Sequence, residues 1–162
     1  MIAVDKKKDD IIQFKYTNDE RIKCFKQQID KNTIILSNPW VKGKMTEHNF
    51  FLKDTNFKNF IDEDFTPEIH KHHPQNKMKI SQAWGNKLAK NNEVMTHNHF
   101  HVQWTSLLYF CDSAPLETEV GTFETFKGKI ITLAGWIKHW IKPVNKERYT
   151  LVWNWDYEYS IS

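Results

Sequence analysis

Three histidines alternate with other residues in Thr96-His97-Asn98-His99-Phe100-His101. Alternate side chains of a β-strand share one face, so this run predicts imidazoles that point together. Two imidazoles two positions apart can converge on one metal ion, the strand counterpart of the i, i+4 histidine pair on a helix. The same residues could instead line a polar sheet face, and His-x-His alone leaves both readings open. The letters His-Asn-His also spell a nuclease motif. That motif spreads its residues over a ββα unit, so the match is accidental.

A metal site that carries out chemistry needs a third protein ligand to close one face of an octahedron and leave positions open. His139 is the candidate. The segment from Gly128 to His139 reads as a strand, a tight turn at Ala134-Gly135, and a histidine entering the next strand. A jelly roll would bring such a strand back beside the first. Nine positions further on comes Arg148, then Tyr149 and Thr150. On a final strand Arg148 and Thr150 share a face, and a guanidinium fork beside a hydroxyl suits a carboxylate. An exposed ion-pair arginine is the plainer reading of the same residue.

These residues need a β framework to hold them. From Met78 onward the segments are short, β-branched or aromatic, and often alternating: 79–84, 93–111, 121–126, 129–133, 139–144 and 148–155. Six or more such strands predict a sandwich or barrel. Residues 1–77 read as helices and loops. Thr17 and Glu20 have capping-box spacing, and Ile22, Phe25 and Ile29 follow at a helical period, with an end expected near Lys31-Asn32. A second helix is expected after Asp54 or Thr55, with Phe57, Phe60, Ile61 and Phe65 on one face and Pro67 as its stop. The fold expected is mostly β (α+β): one domain over 1–162, with N-terminal helices packed on a jelly-roll core spanning 78–162.

The composition agrees. Of 162 residues 40% are hydrophobic and 14% aromatic, with seven Trp, eleven Phe, five Gly and five Pro, which favours an aromatic-rich β structure over a flexible or fibrous one. A balance of 23 basic against 20 acidic side chains, without a basic stripe, argues against nucleic-acid binding. Cys24 and Cys111 form no spaced pair, so neither a disulfide framework nor a zinc ribbon is expected. No segment approaches a membrane span, and Met1 to Asp10 lacks a signal-peptide core, so the expected compartment is the cytoplasm. Frequent Lys, Asn and Ile fit AT-rich coding of a phage or bacterial kind. Nucleophile-elbow, phosphate-loop and CxxC motifs are absent from the sequence.

Ser81 to Trp155 resembles the 2-oxoglutarate/Fe(II)-dependent oxygenase family, in a small bacterial and phage branch. The matching residues are Ser81-Gln82-Ala83-Trp84, His97-Asn98-His99, Ser106 to Phe110, Gly128 with Trp136 to His139, Pro143, and Arg148 to Thr150. They cover somewhat under half of the chain. The resemblance implies a double-stranded β-helix and an iron(II) site on His97, His99 and His139. It also implies 2-oxoglutarate held at one end by the metal and at the other by Arg148 and Thr150. Decarboxylation of that cosubstrate, with O2, would drive oxidation of a small-molecule or peptide substrate. Tyr109, on the strand after the histidines, is either in reach of the cosubstrate or a buried tyrosine with a backbone partner.

One departure stands out. The family's usual triad is His-x-Asp or His-x-Glu with a distal His, and position 99 is His. Either His99 ligates, or the site uses His97 and His139 alone. A three-histidine cupin acting without 2-oxoglutarate is the main alternative; Gln103, four positions after His99, is a poor ligand where many cupins have Glu. A non-catalytic jelly-roll binding protein is the third reading. Substrate selectivity is expected from residues 1–77 and from a cavity-covering loop at Ser113 to Glu119. Asn86 is expected at the cavity mouth, His70-Lys71-His72-His73 in a solvated loop, and a homodimer is the weak expectation for a domain with edge strands.

Overall fold

The computed structural model describes residues 10–34, 39–74 and 77–158. The N-terminal part runs β1 (Ile11–Lys15), α1 (Asp19–Asn32), β2 (Val41–Lys42), β3 (Lys44–Met45), a 3-10 turn (Phe50–Lys53), α2 (Thr55–Phe60), a π-helical turn (Ile61–Phe65) and α3 (Thr66–His70). Strands then follow one another: β4 (Lys77–Leu88), β5 (Glu93–His97), β6 (Trp104–Tyr109) and β7 (Leu116–Thr118). The last four are β8 (Gly121–Phe123), β9 (Lys129–Ala134), β10 (His139–Ile141) and β11 (Arg148–Glu158).

They form two facing antiparallel sheets. The larger has the order β1-β9-β6-β11-β4-β3, and the smaller β2-β5-β10-β7-β8. This is the jelly-roll architecture that the alternation predicts, with helices on the outer face of the larger sheet. The segment read as helix and loop contributes more than helices, because β1, β2 and β3 all pair with strands of the core. Two of these strands have two residues each, too short for alternation to register.

Helix α1 buries Ile22, Phe25 and Ile29, the predicted face. Its N-cap is Asn18 rather than Thr17: the Asn18 side chain accepts from the Arg21 backbone N–H at 3.1 Å. Asparagine caps at least as well as threonine, so the start moves by one residue. The helix packs closely on the sheet at Gly85, where a Cβ would overlap the Ile29 side chain.

Pro67 does not end the second helical region, which continues to His70. The ladder changes register through the π-helical turn, and the proline falls in the first turn of α3, where a missing N–H costs nothing. Phe57, Phe60, Ile61 and Phe65 are buried, and edge-to-face contacts join Phe57, Phe60 and Phe65 to Trp153 at 5.0–5.9 Å. Strand β11 thus divides two environments. Tyr149, Leu151, Trp153 and Trp155 face the helices, while Arg148, Thr150, Val152 and Asn154 line the space between the sheets.

Candidate metal centre and anion-binding cavity

Strands β5 and β10 pair with His97 opposite His139, so two histidines far apart in sequence become cross-strand neighbours. Strand β5 ends at His97, and His99 lies in the turn that follows. The turn is fixed by backbone bonds: His99 N–H donates to Gly135 O at 2.8 Å, and Gly135 N–H to Gln103 O at 2.8 Å. Gly135 has no room for a side chain, because a Cβ would meet the carbonyl oxygens of Val102 and His99.

This geometry corrects the expectation of one alternating strand through His101. The chain leaves the strand before His99, and the Ala134-Gly135 turn reseats His99 against His139. Their rings stack at 5.2 Å with 7° between planes, while His97 lies 5.0 Å from His99 and 4.4 Å from His139. The candidate ligand nitrogens of all three lie within 4.8 Å of one another. His101 is not part of this group: it lines the same cavity, its ring 6.2 Å from that of His99 and its Nε2 3.3 Å from Gln82 Oε1.

The rings are prepared as neutral donors. Nδ1 of His97 lies 2.7 Å from Met95 O, and Nδ1 of His139 lies 3.1 Å from Ile137 O. A carbonyl only accepts, so Nδ1 carries the proton and Nε2 keeps a lone pair for an ion. Burial lowers the His97 pKa. Burial, then the neighbouring histidines, push His99 down to about 2; burial, then His97, push His139 down to about 3. A set of neutral imidazoles at neutral pH fits a divalent transition metal.

Arg148 faces the same cavity from β11 and is 1% exposed. Its Nη1 donates to Ala114 O, its guanidinium sits 4.9 Å above the Tyr109 ring, and Nε and Nη2 have no hydrogen-bond partner among the described residues. A guanidinium keeps its charge even where burial disfavours it. A buried cation with two unpaired donor positions and no carboxylate is costly unless an anion completes it. Thr150, 4% exposed, shares the face, so the residues fit a carboxylate-bearing group.

Tyr109 supports this arginine from below and is absent from the cavity lining. It is fully buried, its hydroxyl lies near the Arg148 guanidinium without a well-formed hydrogen bond among the described residues, and burial pushes its pKa up to about 12. Asn86 lies beside Thr150 in register, is buried and lines the cavity. Ser113 to Glu119 is no covering loop: Leu116–Thr118 forms β7 against β10, and Leu116 is part of the cavity wall. Its short alternation, Leu116 and Thr118 inward with Glu117 between, was hidden by Pro115 and two acidic residues. His73 packs its ring 5.3 Å from Trp104, so the His70–His73 cluster is partly tied to the sheet.

The cavity occupies about 210 Å³ between the sheets. Apolar side chains separate its ends, with Leu107 and Val152 on the larger sheet and Val94 and Ile141 on the smaller. Trp40 lies at the rim, its ring 6.3 Å from His97 and nearly parallel to it. Sequence reasoning gave no cavity role to Gln82, which it named only within the Ser81–Trp84 match, nor to Trp40 or Asn154. Asn154 alone had a signal, since it continues the period-2 series from Arg148 and Thr150.

No family model matches the sequence, and no curated protein is significantly similar to it. The structure is similar to that of the viral collagen prolyl hydroxylase of Paramecium bursaria Chlorella virus-1, solved with 2-oxoglutarate. The TM-score is 0.72 at 10% identity, over 90% of this chain and 94% of that one. A 2OG-Fe(II) oxygenase family oxidoreductase from Burkholderia pseudomallei gives 0.68 at 10%, over 91% and 84%. HygX of Streptomyces hygroscopicus, solved with nickel, 2-oxoglutarate and hygromycin B, gives 0.68 at 7%, over 90% and 82%. The chain therefore has the double-stranded β-helix fold of these proteins. Among the described residues no helix is long and apolar enough to cross a membrane.

Proposed function

We propose that the chain is an iron(II)- and 2-oxoglutarate-dependent oxygenase acting on a small-molecule or peptide substrate. The observation that carries this reading is one cavity with two complementary halves: neutral His97, His99 and His139 on one side, and the uncompensated Arg148 with Thr150 on the other. The fold shared with 2-oxoglutarate-dependent proteins supports it.

In this reading iron(II) and 2-oxoglutarate, when bound, supply the oxidising chemistry by coupling cosubstrate decarboxylation and O2 reduction to oxidation of the prime substrate. His97 and His139 hold their Nε2 lone pairs inward by donating Nδ1–H to backbone carbonyls. His99 closes the third position, stacked on His139. The guanidinium of Arg148 receives a carboxylate through Nε and Nη2, with Thr150 as a further hydrogen-bond partner, and the Tyr109 ring packs against the guanidinium at 4.9 Å. Leu107, Val152 and Ile141 keep water from the space between, which strengthens the charged hydrogen bonds at Arg148.

His99 stands where a carboxylate is usual, so the protein contributes no negative charge to the metal. A dianionic cosubstrate offsets the ion's two positive charges, which makes the three-histidine set compatible with 2-oxoglutarate. The same substitution favours the second reading, a three-histidine cupin-type metalloprotein without 2-oxoglutarate. Anaerobic titration of the iron(II)-loaded protein with 2-oxoglutarate separates them. The oxygenase reading expects a weak visible charge-transfer band, lost in His139→Ala and needing far more 2-oxoglutarate in Arg148→Ala. Tight metal binding with no band, and no effect of Arg148→Ala, transfers the site to the cupin reading.

A further inference from the structure

The larger sheet carries a second polar group on the wall opposite the histidines. Asn154 and Gln82 are Cα partners on β11 and β4, and both line the cavity. Asn154 Nδ2 donates to Gln82 Oε1 at 2.9 Å, and His101 Nε2 lies 3.3 Å from the same oxygen. That oxygen is therefore doubly engaged, which leaves two groups over. Among the described residues Asn154 Oδ1 has no hydrogen-bond partner although Asn154 is 1% exposed, and the half-buried Gln82 keeps its amide hydrogens. A buried acceptor left unpaired costs stability, so its retention at a cavity wall points to a ligand.

The cosubstrate does not explain it. Asn154 is six residues beyond Arg148 on the same face, about 20 Å along the strand. A five-carbon dicarboxylate anchored at Arg148 falls far short of that. The charge pattern narrows the ligand further. Apart from the histidines, Arg148 is the one ionisable side chain among the described residues lining the cavity. At the Asn154 end the titratable groups among the described residues are imidazoles, His101 beside Gln82 and His48 beside Trp84, with no carboxylate and no second guanidinium or ammonium. Trp84, between Gln82 and Asn86 on the same face of β4, gives this end a flat apolar wall.

Resting on the oxygenase reading for the position of the reacting centre, we propose that Asn154 and Gln82 form a specificity subsite for an amide edge of the prime substrate. The substrate's N–H donates to Asn154 Oδ1, and its C=O accepts from Gln82 Nε2–H. Turning both side-chain amides over exchanges the two roles and still leaves one donor beside one acceptor. An extended peptide residue and a carboxamide side chain both present such an edge. The subsite selects a neutral amide and discriminates against its ester, which lacks the N–H.

The test measures binding to the metal-free protein by saturation-transfer NMR. The probes are N-acetyl-alanine N-methylamide with N-acetyl-alanine methyl ester, and propionamide with methyl propionate. At least one amide is expected to bind about tenfold more tightly than its ester, the loss of one buried hydrogen bond. The preferred pair tells whether a peptide backbone or a carboxamide is recognised. Gln82→Met, at a half-buried position, and Asn154→Leu are each expected to weaken the amide toward its ester, with folding checked by circular dichroism. Equal binding of amide and ester in both pairs, no binding of either amide, or an unchanged preference in folded Gln82→Met overturns the subsite. Because no metal is used, the two proposals fail separately. An amide preference without 2-oxoglutarate binding overturns the oxygenase alone, and the reverse overturns the subsite alone.

Discussion

His97 and His139 are Cα partners across β5 and β10, and their ring centroids lie 4.4 Å apart. Cross-strand pairing, 42 positions apart in sequence, builds the first two positions of the site; the turn at Gly135 adds the third. Each of these contacts makes a separate commitment.

The triad predicts a graded metal response. His97→Ala and His139→Ala should each weaken iron(II) or zinc binding by more than the roughly 10–100-fold typical of losing an outer partner. His99→Ala should weaken it too, whereas His99→Asp should restore or exceed wild-type affinity by adding a charged ligand. Calorimetric titration of the four variants checks this. Full affinity in His99→Ala would remove His99 from the ligand set.

Arg148 predicts opposite effects on stability and binding. Arg148→Met replaces a buried cation lacking a counter-ion with an apolar chain of similar length, so the unliganded protein should be unchanged or more stable by about 1 kcal/mol. The same variant should bind 2-oxoglutarate about 10–100-fold less well, the worth of charged hydrogen bonds. Thermal melts with and without 2-oxoglutarate read both. A strongly destabilised Arg148→Met would mean that the arginine serves the fold.

Acid should unfold the metal-free protein in a predictable window. His99 and His139 are held neutral in the fold, down to about 2 and about 3, against an ordinary value of 6.5. Their folded pKa values are depressed, so below pH 6.5 the unfolded chain takes up protons that the folded chain refuses. Stability is therefore full above about pH 6.5 and falls as the pH drops towards 3, by up to about 1.4 kcal/mol per pH unit for each histidine. Urea unfolding in chelator at several pH values should show the slope, and His139→Leu should flatten it.

Gly135→Ala should damage stability and metal binding together. The added carbon meets two backbone carbonyl oxygens, of Val102 and His99, and neither can swing aside as a side chain would. A loss of about 2 kcal/mol or more is expected, by analogy with overpacking, along with weaker metal binding as the His99 turn shifts. An alanine variant with wild-type melting and metal affinity would show that the turn tolerates displacement.

Local chemistry carried a good part of this protein. The apolar period of Ile22, Phe25 and Ile29 marked α1, and alternation marked the strands of the core. His-x-His and the Arg148–Thr150 pair could be read because a strand's period of 2 is a local property. It also put Arg148 and Thr150 on a single cavity face, and the same period reaches Asn154.

Tertiary structure decided what depends on distant partners. The two-residue strands β2 and β3 exist through pairing with β5 and β4. His99 leaves its strand because the Gly135 turn captures its backbone, and Leu116–Thr118 becomes a wall because β10 lies beside it. Tyr109 turns out to support Arg148 by ring contact, which no spacing encodes. The residue types and their faces were written in the sequence, since sterics and periodicity act over a few residues. Which faces meet, and which buried donors and acceptors remain unpaired, was set only when strands far apart in sequence came together.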